Sequence, residues 1–185
     1  MPGTCDKQGF SLIELIVVIA LIGIMATIAV SSYKALFPSS ERKKFISQLN
    51  QLTSFAWKNA QITQRIHTIF FDIKNGKVRV QIDSGKRASG NKIVSQDIKR
   101  NYFSTSITIP RNIQIKNFII EGFDEASKGK LETVYFYIMP NGLAQQVTIN
   151  FIDTKDKVGG GRARQIGLVL NPFTAQFKEY DTFQK

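Results

Sequence analysis

The chain has 185 residues and a formal net charge of +11 at pH 7, a length that allows one modest globular core besides an apolar N-terminal segment. Its single cysteine, Cys5, excludes an internal disulfide and a cysteine-ligated metal site. The surplus of Lys and Arg over Asp and Glu, 25 to 14, suggests an anionic partner such as nucleic acid, lipid headgroups or an acidic protein surface, without saying which.

A long apolar run near the N-terminus contains one acidic residue. Residues 15–33 carry no charged side chain, and with the apolar residues just before them they reach the roughly 20 residues that a helix needs to cross a bilayer. Glu14 interrupts the run, and a carboxylate at that depth is costly unless a cation pairs with it. The sequence therefore predicts a membrane helix whose one acid needs a partner.

The residues around Glu14 carry a resemblance. Residues 9–19, Gly-Phe-Ser-Leu-Ile-Glu-Leu-Ile-Val-Val-Ile, resemble the cleavage and methylation signal of type IV pilins and type II secretion pseudopilins. The resemblance implies that a prepilin peptidase cuts after Gly9 and methylates the new amino terminus at Phe10. It also implies that Glu14 accepts the amino terminus of a neighbouring subunit during filament assembly, a pairing that would offset the cost of burying both charges.

Two alternatives to this signal stay open. A secretory signal peptide could use the small residues Thr27 and Ala29 as its cleavage site, and a plain membrane anchor needs only the apolar run. Both are disfavoured, because neither explains a glutamate inside the apolar segment.

The orientation in the membrane rests on the resemblance. Lys7 flanks one end of the run, and four basic residues flank the other: Lys34, Arg42, Lys43 and Lys44. The positive-inside rule alone would therefore leave the large domain in the cytoplasm. The resemblance implies the opposite: a cytoplasmic leader, a single pass through the bacterial inner membrane and a periplasmic C-terminal domain. The predicted segments are a leader at 1–9, a transmembrane and filament-core half-helix at 10–33, an amphipathic half-helix at 34–65 and a β domain at 66–185.

The amphipathic half of the helix follows Pro38. That proline predicts a kink or brief unwinding near residues 36–39, after which Ser39 or Ser40 can cap a restarted helix with Glu41 in its first turn. Apolar residues then recur at helical spacing and are predicted to face a globular domain. They are Phe45, Ile46, Leu49, Leu52, Ala56 and Ala60.

From Ile66 onward the hydrophobic period changes to two, which predicts strands. Strands at 66–74 and 77–83 flank a two-residue Asn75-Gly76 hairpin turn, with His67 as a surface or satisfied strand residue, and residues 84–100 form a long exposed loop. Further strands are predicted at 106–109, 113–121, 133–139, 144–153, 165–170 and 176–180. The predicted fold class is α+β: a long N-terminal transmembrane and amphipathic helix followed by an antiparallel, two-sheet, β-sandwich-like domain of the pilin type.

The late part of the β domain resembles one particular family of pilin-like proteins. Strands joined by Pro-Asn-Gly at 140–142, then a glycine-rich basic loop and a closing hairpin, are similar to the GspH/FimT family, which comprises the H-type minor pseudopilins of type II secretion and the FimT-type minor pilins. FimT-type proteins involved in DNA uptake carry a Gly-Arg-x-Arg motif before a late strand, and residues 161–164 match it. Ala175 and Gln176 depart from the pattern, because many relatives carry glycine and a basic residue there.

The glycine-rich basic loop at 155–164 could bind phosphate. Its glycines allow close approach of an anion, and guanidinium groups bind phosphate in bidentate fashion. The candidate residues are Lys155, Lys157, Arg162 and Arg164. No aromatic residue is interleaved, so base stacking would have to come from elsewhere. A solvated loop whose charges only keep the protein soluble is the simpler interpretation.

The sequence indicates a structural protein and predicts neither a catalytic site nor a cofactor. Asp153 and Asp156 with Asn150 lack the ligand spacing of a calcium loop. We therefore predict a minor pseudopilin of the type II secretion pseudopilus, whose partners are other pseudopilins or pilins, the prepilin peptidase and the inner membrane, with no small-molecule substrate. The alternative is a FimT-like minor type IV pilin that binds DNA during natural transformation.

Overall fold

The computed structural model describes residues 12–36, 39–87, 93–98, 104–128 and 131–185, and the chain divides into two compact units, 1–38 and 39–185. The described part of the first unit is helix α1, Leu12–Leu36, whose first turn contains Glu14. The described side chains of α1, at positions 12–27, are exposed. Among the residues that the structure describes, no helix has the length and hydropathy of a membrane span. The predicted kink lies partly outside the described residues, because 37 and 38 are not among them.

The second unit begins with helix α2, Ser40–Thr63, which ends where Gln64 adopts a left-handed backbone with φ of 52°. Ser39 is its N-cap residue, but the Ser39 side chain makes no capping hydrogen bond. All six residues of the predicted apolar stripe are buried, which confirms that α2 packs against a globular domain.

After α2 the described residues form ten strands in two antiparallel sheets. In chain order they are β1 (His67–Asp72), β2 (Lys77–Arg87), β3 (Ile93–Asp97), β4 (Ser106–Thr108), β5 (Ile113–Ile120), β6 (Phe123–Asp124), β7 (Thr133–Ile138), β8 (Val147–Val158), β9 (Arg162–Asn171) and β10 (Gln176–Tyr180). The first sheet has the order β3-β2-β1-β7, and β4 pairs with the start of β2. The second sheet has the order β10-β9-β8-β5-β6. The predicted two-sheet α+β class is confirmed.

The core lies where the inward faces of the two sheets and α2 meet. Phe71 of the first sheet packs edge-to-face on Phe118 of the second, with ring centroids 5.0 Å apart. Phe136 of the first sheet meets Phe177 of the second at 6.3 Å. Helix α2 contacts strands of both sheets, β1 and β7 on one side and β10 on the other. One aromatic-rich core therefore holds the second unit together, without a disulfide.

Three segments that were predicted as turns or loops have a different structure from the one predicted. The β1–β2 connection has four residues, 73–76, and not a two-residue turn, because Asp72 pairs with Lys77 and the Asp72 carboxylate accepts hydrogen bonds from the Asn75 backbone and side chain. The predicted long loop at 84–100 is wrong for its described part, since β2 continues to Arg87 and pairs with β3. The described side chains of this strand pair after Asp83 are partly or fully exposed, so polar residues fit both strands.

The third difference concerns residues 155–164, which are mostly strand. Strand β8 continues to Val158 and β9 begins at Arg162, so only the three glycines 159–161 form the turn. Gly160 and Gly161 supply positive φ angles of 83° and 74°. A register shift between Asp153 and Lys157 marks a bulge in the hairpin.

Two further residues that were singled out in the sequence, His67 and Ala175, are described by the structure. His67 is buried on the core side of β1, not at the surface, and its Nδ1 lies 3.0 Å from the Arg65 carbonyl oxygen. Ala175, which stands where related sequences often have glycine, adopts φ of 50° in the β9–β10 turn. The turn therefore keeps the left-handed conformation that glycine adopts without strain.

Candidate functional site

The residues predicted to take part in processing and assembly lie at the N-terminus. Gly9 and Phe10 are outside the described residues. Glu14 is in the first turn of α1 with its side chain exposed, and it forms no ion pair with a described residue of its own chain. Its pairing with the amino terminus of another subunit, and cleavage between Gly9 and Phe10, stay predictions.

The basic residues predicted to bind phosphate lie on the β8–β9 hairpin, and they fall into two pairs. Lys157 and Arg162 flank the glycine turn with exposed side chains, and neither side chain forms an ion pair or hydrogen bond with a described residue. These two cations therefore remain available to an anion from outside.

The other pair is engaged within the protein. Arg164 contacts Asp156 with its Nε at 2.8 Å from Oδ2, and Asp181 with its Nη1 at 3.2 Å from Oδ1. The hydrogen bond to Asp156 is the main cause that raises the pKa of Arg164. Lys155 places its Nζ between the two carboxylate oxygens of Glu41, at 3.0 and 2.9 Å. Lys155 and Glu41 are both exposed, so this pair contributes little to stability.

The centre of this region is a buried arginine, Arg42, in the first turn of α2. Its Nη1 lies 2.6 Å from Asp156 Oδ2 and 3.4 Å from Asp153 Oδ2. Its Nε lies 3.0 Å from Glu179 Oε1. Asp153 also accepts a hydrogen bond of 2.7 Å from the Asn112 side chain. One guanidinium therefore joins α2 to strands β8 and β10, and we call Arg42, Asp153, Asp156 and Glu179 the Arg42 network.

Asp156 is shared by two arginines, and its ionisation reflects that position. Desolvation by burial raises its pKa, but the hydrogen bonds from Arg42 and Arg164 outweigh this effect and hold the pKa below the ordinary value of 3.8. A carboxylate between two guanidinium groups stays ionised at neutral pH and holds both arginines in place.

Sequence reasoning missed the role of Arg42, which was counted only as a charge beside the membrane run. The signal was present, because Arg42 precedes Phe45 by three residues and Ile46 by four, and therefore lies on the apolar face of α2. Asp153 and Asp156, considered only as calcium ligands, are the acids that this arginine needs. No cluster of three or more metal-ligating side chains occurs in the described ranges.

A second polar contact fixes the C-terminal residues to the second sheet. The Asn150 side chain donates to the Gln184 carbonyl at 2.7 Å and accepts from the Gln184 backbone at 2.9 Å. A β-carbon at Gly167 would come within 2.5 Å of the Thr182 carbonyl oxygen, so the tail crosses the strand where a side chain is missing. The glycine allows this close approach.

Comparison with known proteins gives a motif match at the N-terminus and a likeness of the fold. The prokaryotic N-terminal methylation motif matches residues 5–30. No curated protein matches the sequence. The fold is similar to two structures of the minor pseudopilin EpsH from the type II secretion system of Vibrio cholerae. One has a TM-score of 0.53 at 10% identity, covering 79% of this chain and 99% of EpsH. The other has a TM-score of 0.52 at 9% identity, covering 77% and 97%.

At such low identity the likeness to EpsH concerns the fold. The motif match is independent of it, since it rests on the first 30 residues of the sequence. The chain thus carries a prokaryotic N-terminal methylation motif and has a helix and two-sheet fold similar to that of the minor pseudopilin EpsH.

Proposed function

We propose that the chain is a minor pseudopilin, a structural subunit of the type II secretion pseudopilus that supports export of proteins across the outer membrane. The observation that carries the proposal is the occurrence of both features in one chain: a prepilin-type methylation motif at 5–30 and a fold similar to a minor pseudopilin. A subunit of this kind acts by assembly and is not an enzyme.

Processing and anchoring follow from the same proposal. A prepilin peptidase would cut after Gly9 and methylate Phe10, leaving residues 10–33 as the membrane and filament-core helix. The C-terminal domain would face the periplasm, with the chain anchored in the bacterial inner membrane before it enters a pseudopilus. The apolar run supports this arrangement, because between Leu15 and Tyr33 the sequence has no charge that would oppose insertion.

Glu14 has a specific role in this proposal. An exposed carboxylate on a helix of apolar residues is unfavourable in a lipid or filament core, so assembly must supply a cation. The methylated amino terminus of a neighbouring subunit would be that cation. Other pseudopilins are therefore the partners that this residue requires.

The second candidate is a FimT-like minor pilin that binds DNA during natural transformation. The observation in its favour is the pair of exposed cations, Lys157 and Arg162, at the tip of the β8–β9 hairpin. Against it, Lys155 and Arg164 already contact carboxylates, so half of the predicted phosphate ligands are engaged. The structural role in secretion accounts for both the N-terminal motif and the fold, whereas the DNA-binding role rests on two exposed cations.

A deletion strain of the native host can distinguish the two functions. The strain is assayed in parallel for protein export into the medium and for uptake of transforming DNA, and is complemented with the wild-type gene or with Glu14→Ala. Loss of export that Glu14→Ala fails to restore, with normal DNA uptake, supports the pseudopilin. Loss of DNA uptake alone supports the second candidate, and a strain normal in both assays contradicts both.

A further inference from the structure

The outward face of the first sheet carries aromatic side chains where strand alternation usually places polar ones. Phe70 on β1 lies opposite Arg79 on β2 and opposite Tyr135 on β7. Tyr137 lies two residues beyond Tyr135 on the same face, and their ring centroids are 5.5 Å apart at an interplanar angle of 61°. The Arg79 guanidinium lies 5.2 Å from the centre of the Phe70 ring. We call these four residues the aromatic face.

The aromatic face is distinct from the core on the other side of the same strands. Phe71, Val78 and Phe136 point inward and are buried, whereas Tyr135 is 49% exposed and the other three members of the aromatic face are half-buried. The sheet therefore fills its core without these rings. A cluster of rings kept in contact with water is typical of a binding surface.

The charges around the aromatic face cancel one another, although the chain as a whole is strongly basic. Arg79 lies between two carboxylates, with its Nη2 3.9 Å from Asp72 Oδ2 and its Nη1 3.5 Å from Asp97 Oδ2. The exposed Lys77, two residues before Arg79 on the same face, lies opposite Asp72 and supplies a second positive charge. Nearby, Lys74 pairs with Glu132 at 3.7 Å. A nucleic acid would need unpaired cations to neutralise its phosphates. The local charge balance favours an uncharged ligand.

The polar groups around the rings can donate or accept hydrogen bonds. The Gln81 amide donates to Asp97 Oδ1 at 2.9 Å, which leaves the other lone pairs of that carboxylate and the Gln81 carbonyl oxygen to receive hydroxyl donors. Arg79 can donate to hydroxyl oxygens, since its fork carries five N–H groups. Rings bordered by carboxylate, amide and guanidinium groups suit a ligand with apolar faces and a hydroxylated edge.

A pyranose ring has this chemistry, with C–H groups on its faces and hydroxyl groups around its perimeter. We propose that the aromatic face binds a neutral or N-acetylated oligosaccharide that extends across the strands, with some sugar rings on Tyr135 and Tyr137 and the hydroxyl groups of other rings on Arg79, Gln81 and Asp97. The same sugar chemistry occurs in soluble polysaccharides and in the glycan strands of a cell wall. This inference does not depend on the proposed role in secretion.

The test uses the full chain in a detergent without a sugar headgroup, so that the detergent cannot occupy the site. The probes are N-acetylglucosamine tetrasaccharide and cellotetraose, titrated by calorimetry, and a single-stranded oligonucleotide serves as the charged control. Co-sedimentation with purified cell-wall sacculi, with and without the soluble tetrasaccharide as competitor, distinguishes a cell-wall source from a soluble one. Binding of at least one tetrasaccharide is expected.

Matched variants connect that binding to the aromatic face. Tyr135→Ala and Tyr137→Ala should each weaken it roughly two- to tenfold, whereas Tyr135→Phe, which keeps the ring, should retain it. Phe173→Ala is the control, because Phe173 is also exposed but lies in the β9–β10 turn. Far-ultraviolet circular dichroism of each variant verifies that the sheet is intact.

Four results would overturn the proposal. They are the absence of binding to either tetrasaccharide and to sacculi, saccharide binding that the Tyr135 and Tyr137 variants leave unchanged, an equal loss in Phe173→Ala, and preferential binding of the oligonucleotide through the tyrosines. A pseudopilus function could hold in every one of these cases, so the two proposals fail separately.

Discussion

The side chain of Asn50 pairs with the backbone of Phe177 as a neighbouring strand would. Asn50 Oδ1 accepts from the Phe177 N–H at 2.6 Å, and Asn50 Nδ2 donates to the Phe177 carbonyl at 3.1 Å. Strand β10 is an edge of the second sheet, so its outer backbone groups lack a partner strand. The helix therefore closes one position of an edge that could otherwise pair with another chain.

We expect Asn50→Ala to lower the free energy of unfolding by about 1–3 kcal/mol, because both Phe177 backbone groups lose their partner in a half-buried position. Lys58→Ala, on the exposed side of the same helix, is the control and should change stability by less than about 0.5 kcal/mol. Urea unfolding of both variants measures the difference. Equal midpoints for the two variants would show that the Asn50 contact is not stabilising.

Arg42 supplies the positive charge of the Arg42 network, so replacing Arg42 should destabilise the fold. Arg42→Met leaves Asp153 and Asp156 buried with fewer partners, and we expect a loss of about 3–5 kcal/mol in unfolding free energy. Lys43→Met is the matched control, since Lys43 is the next residue and is exposed. If the two variants unfold at the same urea concentration, Arg42 does not stabilise the fold.

The pH dependence of stability follows from Asp156. Its pKa in the folded state lies below 3.8, the value for an unperturbed carboxyl, so the unfolded chain takes up the proton first as the pH falls. The stabilisation is therefore complete above that value and is lost as the pH drops through the lower, folded-state pKa. Asp124 has a lowered pKa as well, because hydrogen bonds from Asn117 and two backbone amides outweigh its desolvation, and it acts in the same direction.

Melting temperatures recorded between about pH 6 and pH 2 should fall on the acid side for the wild-type chain. Asp156→Asn should be less stable at neutral pH but should show a flatter decline, because one of the linked carboxylates is gone. Parallel curves for the two proteins would mean that Asp156 does not contribute to acid unfolding.

Processing can be measured directly on protein isolated from its native host. Intact-mass analysis should find a chain that begins at Phe10 and carries one methyl group. A Gly9→Trp variant should remain uncut, since the resemblance implies that the peptidase cuts directly after this glycine. A mature wild-type protein that still contains residues 1–9 contradicts the prepilin interpretation.

DNA binding, if present, should depend on the two free cations of the hairpin. Replacing Lys157 and Arg162 by Ala should weaken DNA binding at every sequence, because phosphate contacts carry no base information, and should lower the salt slope by roughly 0.7 to 0.9 for each lost contact. Replacing Lys43 and Lys58 by Ala removes the same charge from α2 and is the control. Equal losses in both double variants indicate attraction by net charge without a site.

The sequence predicted most elements of the second unit because their signals are local. The stripe from Phe45 to Ala60 has helical spacing, and inward residues such as Val134 and Phe136 alternate, so the periodicity alone located α2 and β7. The pairing of β2 with β3 and the hairpin at 155–164 were missed because these strands are largely polar or basic, which is also typical of loops. Only the cross-strand pairing, for example Asp83 with Ser95, distinguishes them.

The candidate site was predictable only in part, because its ion pairs join residues that are far apart in the sequence. The basic residues of the hairpin are visible in the sequence, but whether each is free depends on acids elsewhere in the chain. Arg42 and Asp153 are 111 residues apart, and Lys155 finds Glu41 across a similar interval. Such pairings arise from the tertiary fold, and neither composition nor spacing encodes them locally.

The Arg42 network also has a mechanical consequence. Arg42 joins the start of α2 to β8 and to β10, which lie on either side of β9. A tension applied at the N-terminal end of α2 would act on both strands at once, so several charged contacts would have to break together and not one after another. A globular domain attached in this way resists being peeled from its helix when the helix is pulled.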